Sequence, residues 1–381
     1  MPSAPQQLAL DTILCNDTDG IGIWLINPME WRMIDRLAHV PEGTYQTQPV
    51  DTYRTMLVNS GCCMVDQWIP ENPLTMGAHG FERNTVRSAT TGAERVVLDG
   101  VPINDPDDVA AHLERVAFPG IMDAIRTFDE DACVRRIIDS EAHVQRILGP
   151  ELLKAPYCPA FPTLAYYSYG YASYFMAYAL YPELMERHFS LQADYAVLRN
   201  RAMARAIIEG GLPPYLRLDH DVADSRGTLV DVTSLDRIWF PHFARSIAPL
   251  TRAHIRMIWH CDGNLMAMVP RLIDAGIKGF QGFQYECGMD YEAICRMKAK
   301  DGDGLLIIGG VSVTRTLPHG TPDDVRRELR WLVDAGPKRG LFLGASSSIA
   351  PGVPWENLRA LVEGFRHYRA RGRGGLDKPR N

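Results

Sequence analysis

The sequence predicts a single α/β domain, a (β/α)8 TIM barrel with N-terminal elaboration. Three observations carry this. Strand-like and helix-like segments alternate from residue 215 to residue 369. The polar residues of that stretch gather at the C-terminal ends of its strands, where such barrels build their sites. No G-x-G-x-x-G turn opens the chain and no G-x-x-x-x-G-K-[ST] occurs anywhere, as a doubly wound nucleotide-binding sheet would require.

The first sixty residues keep no steady apolar period, so residues 1–60 are expected to be an N-terminal arm or cap and residues 61–381 the barrel. Gly61 to Trp68 has strand character and stops at Pro70. Pro70 to Ala93 is expected as loop and Glu94 to Val101 as a short strand. Asp105 to Val116 predicts a helix opening with Pro106 and two acids that suit the helix dipole. Val134, Ile137, Ile138, Val144 and Ile147 stand at helical spacing within Asp129 to Leu148. Thr163 to Ala179 holds Tyr166, Tyr167, Tyr169, Tyr171, Tyr174 and Tyr178; such a stripe is mostly core, but buried hydroxyls need partners, so one or two should face a wet cavity.

The second half is regular. Tyr215 to Leu218 is a strand ending in Asp219, His220 and Asp221; Ser234 to Ala248 is helical; Ile255 to Trp259 is a strand ending in His260, Cys261 and Asp262. Leu265 to Ala275 is a helix closed by Gly276. Gly279 to Tyr285 is a strand ending in Glu286 and Cys287, and Tyr291 to Lys300 is helical. Leu305 to Ile308 leads into Gly309 and Gly310, Thr321 to Ala335 is a capped helix, and Leu341 to Leu343 leads into the Ser346–Ser347–Ser348 turn before a last helix at Trp355 to Arg369.

Composition excludes several roles. With 381 residues, 46% hydrophobic and 23% charged, the chain can bury a sizeable core and has no mark of disorder. Its 40 basic and 46 acidic residues give a net charge of −6, which offers no general attraction to nucleic acid or anionic lipid. The basic cluster from Arg366 to Arg380 is expected to be a solvated terminus. No apolar run can span a bilayer, and Met1 to Leu10 lacks the basic-then-apolar order of a secretory signal, so a cytoplasmic protein is expected. The eight cysteines are scattered, with no CxxC pair, and are expected to be reduced and mostly packed.

Six segments, in order, carry a family likeness: LDHDVADSRGTLV (218–230), HCDG (260–263), LIDAGIKGFQGFQYECGMD (272–290), GGVSV (309–313), LPHGTPDDV (317–325) and GASSSIAPGVPWEN (344–357). CPAFPTLAYYSYG (158–170) extends it weakly upstream. The chain resembles the uroporphyrinogen decarboxylase superfamily, and within it the corrinoid-dependent methyltransferase branch more than the decarboxylase. The resemblance implies one (β/α)8 barrel with a substrate funnel at the strand C-terminal ends. The arginine-rich RQAGR motif by which true decarboxylases grip substrate carboxylates is missing, since Arg32, Arg36 and Arg54 are isolated.

In the methyltransferase branch, zinc held by a His-x-Cys pair and a later Cys activates a thiol. Here His260 keeps the histidine position, Asp262 replaces the first cysteine and Ser347 falls near the second. Histidine with carboxylates makes a harder centre than thiolates do, which suits an ether or alcohol oxygen. The expected function is therefore a methyltransferase moving methyl between a small methoxylated donor and a cobalamin or other corrinoid, an O-demethylase type. The D-x-H-x-x-G pattern of corrinoid modules is missing from the chain. The partners implied are thus a corrinoid protein or free cobalamin and a small methyl donor, with a homodimer left open.

His260 and Asp262, two apart in an extended segment, point the same way and can converge on zinc. Glu286 is expected as a further ligand or general base, and Cys287 as a fourth ligand. The predicted catalytic residues are Asp221, His260 and Glu286; Tyr166, Tyr169, Asp219, His220 and Ser347 are expected against substrate. Asp219 and Asp221 share a face and raise each other's proton affinity, although Asp221 capping Arg226 and Gly227 accounts for it equally well. Cys261 should face away into the core. Two alternatives stay open: a decarboxylase or other lyase acting on a small acid with Asp221 as proton donor, and a non-catalytic binding barrel.

Overall fold

The computed structural model describes residues 4–24, 26–77, 80–81 and 96–374. Among these, eight short parallel strands form the ring: β1 (Gly22–Ile23), β2 (Met64–Val65), β3 (Leu153–Lys154), β4 (Tyr215–Asp219), β5 (Arg256–His260), β6 (Gly279–Gln281), β7 (Leu306–Val311) and β8 (Leu341–Ala345). Six of them make one continuous ladder in the order β1, β8, β7, β6, β5, β4, and β2 pairs β3 in register Met64↔Leu153. Single links close the ring: the Cys63 N–H donates to the Ile23 carbonyl at 2.9 Å, and Tyr157, just past β3, bridges Arg217 of β4 in parallel. The chain is a (β/α)8 barrel.

The ring explains why some elements were hidden. The segment 1–60, expected to be an arm or cap, instead holds β1 and an adjoining helix, α1 (Pro49–Ser60), which Gly61 ends at φ +87. β1 and β3 are two residues long, too short for an alternating pattern to show. The later strands lie between barrel interior and helices, so they read as continuous apolar runs. In β7 all six residues are buried.

The helices of the ring follow as α2 (Glu130–Leu148), α3 (Pro182–Glu209), α4 (Phe240–Arg252), α5 (Val269–Ala275), α6 (Tyr291–Arg296), α7 (Pro322–Ala335) and α8 (Trp355–Arg371). Local chemistry sets their ends. Asp129 accepts the Ala132 N–H at the start of α2, a Thr321–Asp324 capping box starts α7, and Gly276 at φ +120 closes α5. Several expected boundaries shift. The helix predicted from Ser234 begins at Val232, stops at Ile238 and resumes as α4, because Trp239 leaves the helical path before Pro241. The helix from Asp105 runs through a wide turn at Leu113–Ala117 into Phe118–Arg126. The tyrosine segment breaks at Gly170 into Tyr166–Tyr169 and Tyr171–Leu180.

The strand expected at Glu94 to Val101 is a hairpin, Val96–Leu98 against Val101–Ile103. Its first two residues, most of the Pro70 to Ala93 loop, and Lys378 and Arg380 of the basic tail lie outside the described residues. Within the described part of that tail, Arg369 donates to the Gly61 carbonyl at 2.9 Å and Arg366 to the Asn59 carbonyl at 2.7 Å, so it braces the base of α1. Among the described residues no helix is long and apolar enough to cross a membrane, and all eight cysteines are free thiols.

Candidate active site

The strand ends bring Asp221, His260 and Asp262 together: one ligand atom from each lies within 4.8 Å of the others. β5 ends at His260, and the extended chain carries Asp262 on to the same side. Asp221 follows β4, paired with β5 in register His260↔Asp219. Its Oδ1 accepts the Asp262 backbone N–H at 2.8 Å, so the two carboxylates are tied through the backbone. Ser347 donates to Asp262 Oδ2 at 3.2 Å. Two buried atoms of this group, His260 Nδ1 and Asp262 Oδ1, have no hydrogen-bond partner. Orphaned acceptors of this kind are rare in a folded interior and ask for a ligand.

Electrostatics divides the acids. Burial raises the Asp262 carboxyl, Asp221 adds to the rise, and His260 opposes it. Asp219 goes the other way: burial alone would raise it, but His260, Arg217 and the Tyr157 hydroxyl hold it below the usual carboxylate range. Asp219 Oδ2 accepts from Tyr157 at 2.8 Å and from Arg217 at 3.0 Å. Arg217 is 2% exposed and also bonds Asp66, 1% exposed, at 2.8 Å. Its guanidinium lies between the Trp24 and Tyr157 rings, 5.0 and 4.8 Å from their centroids. Tyr215 donates to the same Asp66 oxygen as Arg217, and Trp24 donates to the other. A small cleft of roughly 60 Å³ above this network is lined by Asn27, Gln67, Asp219, His260, Gln281 and Ser347.

The other expected site residues separate. β6 ends at Gln281 because Gly282 turns at φ +87, so Glu286 and Cys287 sit on a later turn, Tyr285–Cys287, rather than at a strand end. Glu286 Oε1 accepts from Ser312 at 2.9 Å and from Thr314, and the Cys287 thiol faces Gln284 Oε1 at 3.6 Å. Neither belongs to the group around His260. The Tyr166 hydroxyl donates to the Asp221 carbonyl at 2.6 Å, which fixes the loop that presents Asp221. Tyr169 bonds His112 Nδ1 at 2.9 Å, away from the cluster. His220 Nε2 accepts the Leu164 N–H at 2.9 Å, so its free ring nitrogen is spent on the backbone. Capping of Arg226 falls to Asp224, not Asp221. Cys261 is core, as expected, with its sulfur accepting the Val222 N–H at 3.4 Å.

The residues that sequence reasoning missed are Arg217, Asp66, Tyr157 and Gln281. One signal was present: an arginine in the middle of the apolar strand YLRLD, which no buried strand holds without a partner.

His260, Asp221 and Asp262 fit a zinc ion. The unpartnered imidazole nitrogen and carboxylate oxygen are the donor types that zinc takes, and three protein ligands leave a position open.

Eight parallel strands with acids and an imidazole converging at their carboxyl ends define a (β/α)8 barrel with its site at the top of the ring. The chain belongs to the uroporphyrinogen decarboxylase family, whose model, uroporphyrinogen decarboxylase (URO-D), matches residues 102–368. Among solved structures, a methyltransferase from Methanosarcina mazei is 16% identical and aligns over 96% of this chain and 98% of its own at a TM-score of 0.57, a likeness of fold. A B12-independent methionine synthase from Shewanella sp. W3-18-1, in complex with selenomethionine, is 11% identical over 61% of this chain and 65% of its own, at a TM-score of only 0.39. No curated protein matches the sequence.

Proposed function

We propose that this chain is a methyltransferase that moves a methyl group between a small O-methyl donor and a corrinoid, carried on a partner protein or taken up free. The observation that carries the reading is the cluster of one histidine and two carboxylates at the end of β4 and β5. It stands where the resemblance implies a zinc-thiolate centre for thiols, and its harder donors suit an oxygen. Held by His260, Asp221 and Asp262, zinc would supply Lewis acidity to the donor oxygen.

The chain's own groups do the remaining work. Asp262 faces the same point as His260 and Asp221 and would hold the metal as the carboxylate, although burial raises its proton affinity. The Ser347 hydroxyl and the bond from the Asp262 backbone N–H to Asp221 orient that carboxylate. Asp219, kept ionised by Arg217, stands 3.9 Å from His260 Nε2 and orients the ring.

The test mixes the protein with cob(I)alamin and a panel of methyl ethers and follows the visible spectrum; conversion to methylcobalamin supports the reading. Decarboxylation of a small acid, with Asp221 giving the proton, is the second reading, favoured by the family match. Release of carbon dioxide with no change in the cobalamin spectrum selects it.

A further inference from the structure

We infer that the cavity beside the cluster is a substrate chamber for an aromatic methyl ether bearing a carboxylate, with Arg199 as the partner of that carboxylate. The inference rests on the methyltransferase reading and names its substrate class.

A cavity of about 500 Å³ lies between the segment that follows β3 and one face of α3. α3 lines it with Gln192, Tyr195, Ala196 and Arg199. These positions are spaced i, i+3, i+4 and i+7, which places them on one helix face. Phe161 and Tyr167 line the cavity from the other wall. The walls are fixed to each other by hydrogen bonds. The Ala160 N–H donates to Asn200 Oδ1 at 3.0 Å, the Asn200 amide returns a bond to the Ala160 carbonyl at 2.6 Å, and the Thr163 N–H donates to Gln192 Oε1 at 2.8 Å. Asn200 is fully buried. The chamber is thus pre-formed, and a ligand need not order it.

Its contents define a ligand. Asp221 lines the chamber and also belongs to the cluster with His260, so the reacting methyl is placed at Asp221. Three aromatic rings offer flat apolar surface to a ring-sized body. Arg199 adds an exposed guanidinium 6.0 Å from the Tyr195 centroid, and among the described residues no carboxylate forms an ion pair with it. A guanidinium fork beside an aromatic face recognises a planar carboxylate. The acids at the Asp221 end would repel an anion there but not an ether. A ring with a neutral methoxy group for Asp221 and a carboxylate for Arg199 satisfies both.

The test measures binding, not turnover, of two probes by calorimetry without added cobalamin: 4-methoxybenzoate and methoxybenzene. The wild-type protein should bind the acid about tenfold more tightly than the neutral ether, as for one charge-assisted pair at a rim. Arg199→Ala should abolish that preference, and Ala196→Trp, which fills the chamber, should weaken both probes. If Ala196→Trp does not fold, Ile121→Trp, which lines the cavity from the helix Phe118–Arg126, replaces it. Equal affinity for the two probes, or a preference that survives Arg199→Ala, overturns the inference. Binding with the predicted preference but no methyl transfer leaves the chamber standing and sinks the methyltransferase reading. Methyl transfer from 4-methoxybenzoate that Arg199→Ala leaves unchanged does the reverse.

Discussion

The Asp262 backbone N–H donates to Asp221 Oδ1 at 2.8 Å, which couples the ends of two neighbouring strands and sets both carboxylates on one side of His260. The pairing of β4 with β5 fixes the register, and the Tyr166 hydroxyl on the Asp221 carbonyl fixes the loop. A spacing of two residues at a strand end thus becomes a three-group site through strand register and two bonds between side chain and backbone.

Loss of the imidazole should disable the cluster without unfolding the barrel. His260→Ala should lower zinc content and the rate of methyl transfer at least tenfold, the scale on which losing a site group acts. Elemental analysis and the cobalamin assay on the same preparation check it.

Gly282 cannot accept a side chain. It turns at φ +87, and a Cβ there would stand 2.5 Å from His260 Nδ1 and 3.0 Å from the Cys261 carbonyl oxygen. Gly282→Ala should therefore cost about 1–3 kcal/mol from backbone strain and push the ring out of place. Urea unfolding should show the loss of stability, and methyl transfer should fall more than that loss explains.

The buried pair of Arg217 and Asp66 lies under the site with its charges fully withdrawn from water. Removing one partner leaves the other alone, so Arg217→Met should destabilise the fold by about 3–5 kcal/mol. The double variant with Asp66→Leu should recover part of this. Denaturant midpoints of the two variants and the wild type check the order.

Stability should fall in acid through two buried histidines. Burial depresses His188 and His220 to about 4, from 6.5. Below 6.5 the unfolded chain takes up protons that the folded chain refuses, so stability is full above that pH and drains away down to about 4. The upper limit is roughly 3 kcal/mol for each ring. His188 Nε2 faces the Gln192 amide at 2.9 Å. A series of urea titrations from pH 7 to pH 4 should give His188→Gln a shallower decline than the wild type; equal slopes would contradict the assignment.

Much of the barrel was legible because four of the five strands of the second half run five or six mostly buried residues, and each of the five is followed by a helix. β1 and β3 were not, since two residues show no period. His260 and Asp262 could be paired from spacing alone, because alternation in extended chain is local. Glu286 was misplaced because Gly282 ends β6 early and sends it to a turn against Ser312 and Thr314. Arg217 finds Asp66 across 151 positions, and no local pattern announces such a contact.

The most direct measurement is the visible spectrum of cob(I)alamin mixed with the zinc-supplemented protein and 4-methoxybenzoate. The account predicts conversion to methylcobalamin with release of 4-hydroxybenzoate, lost in His260→Ala. A spectrum unchanged across this acid and a full panel of methyl donors would contradict it.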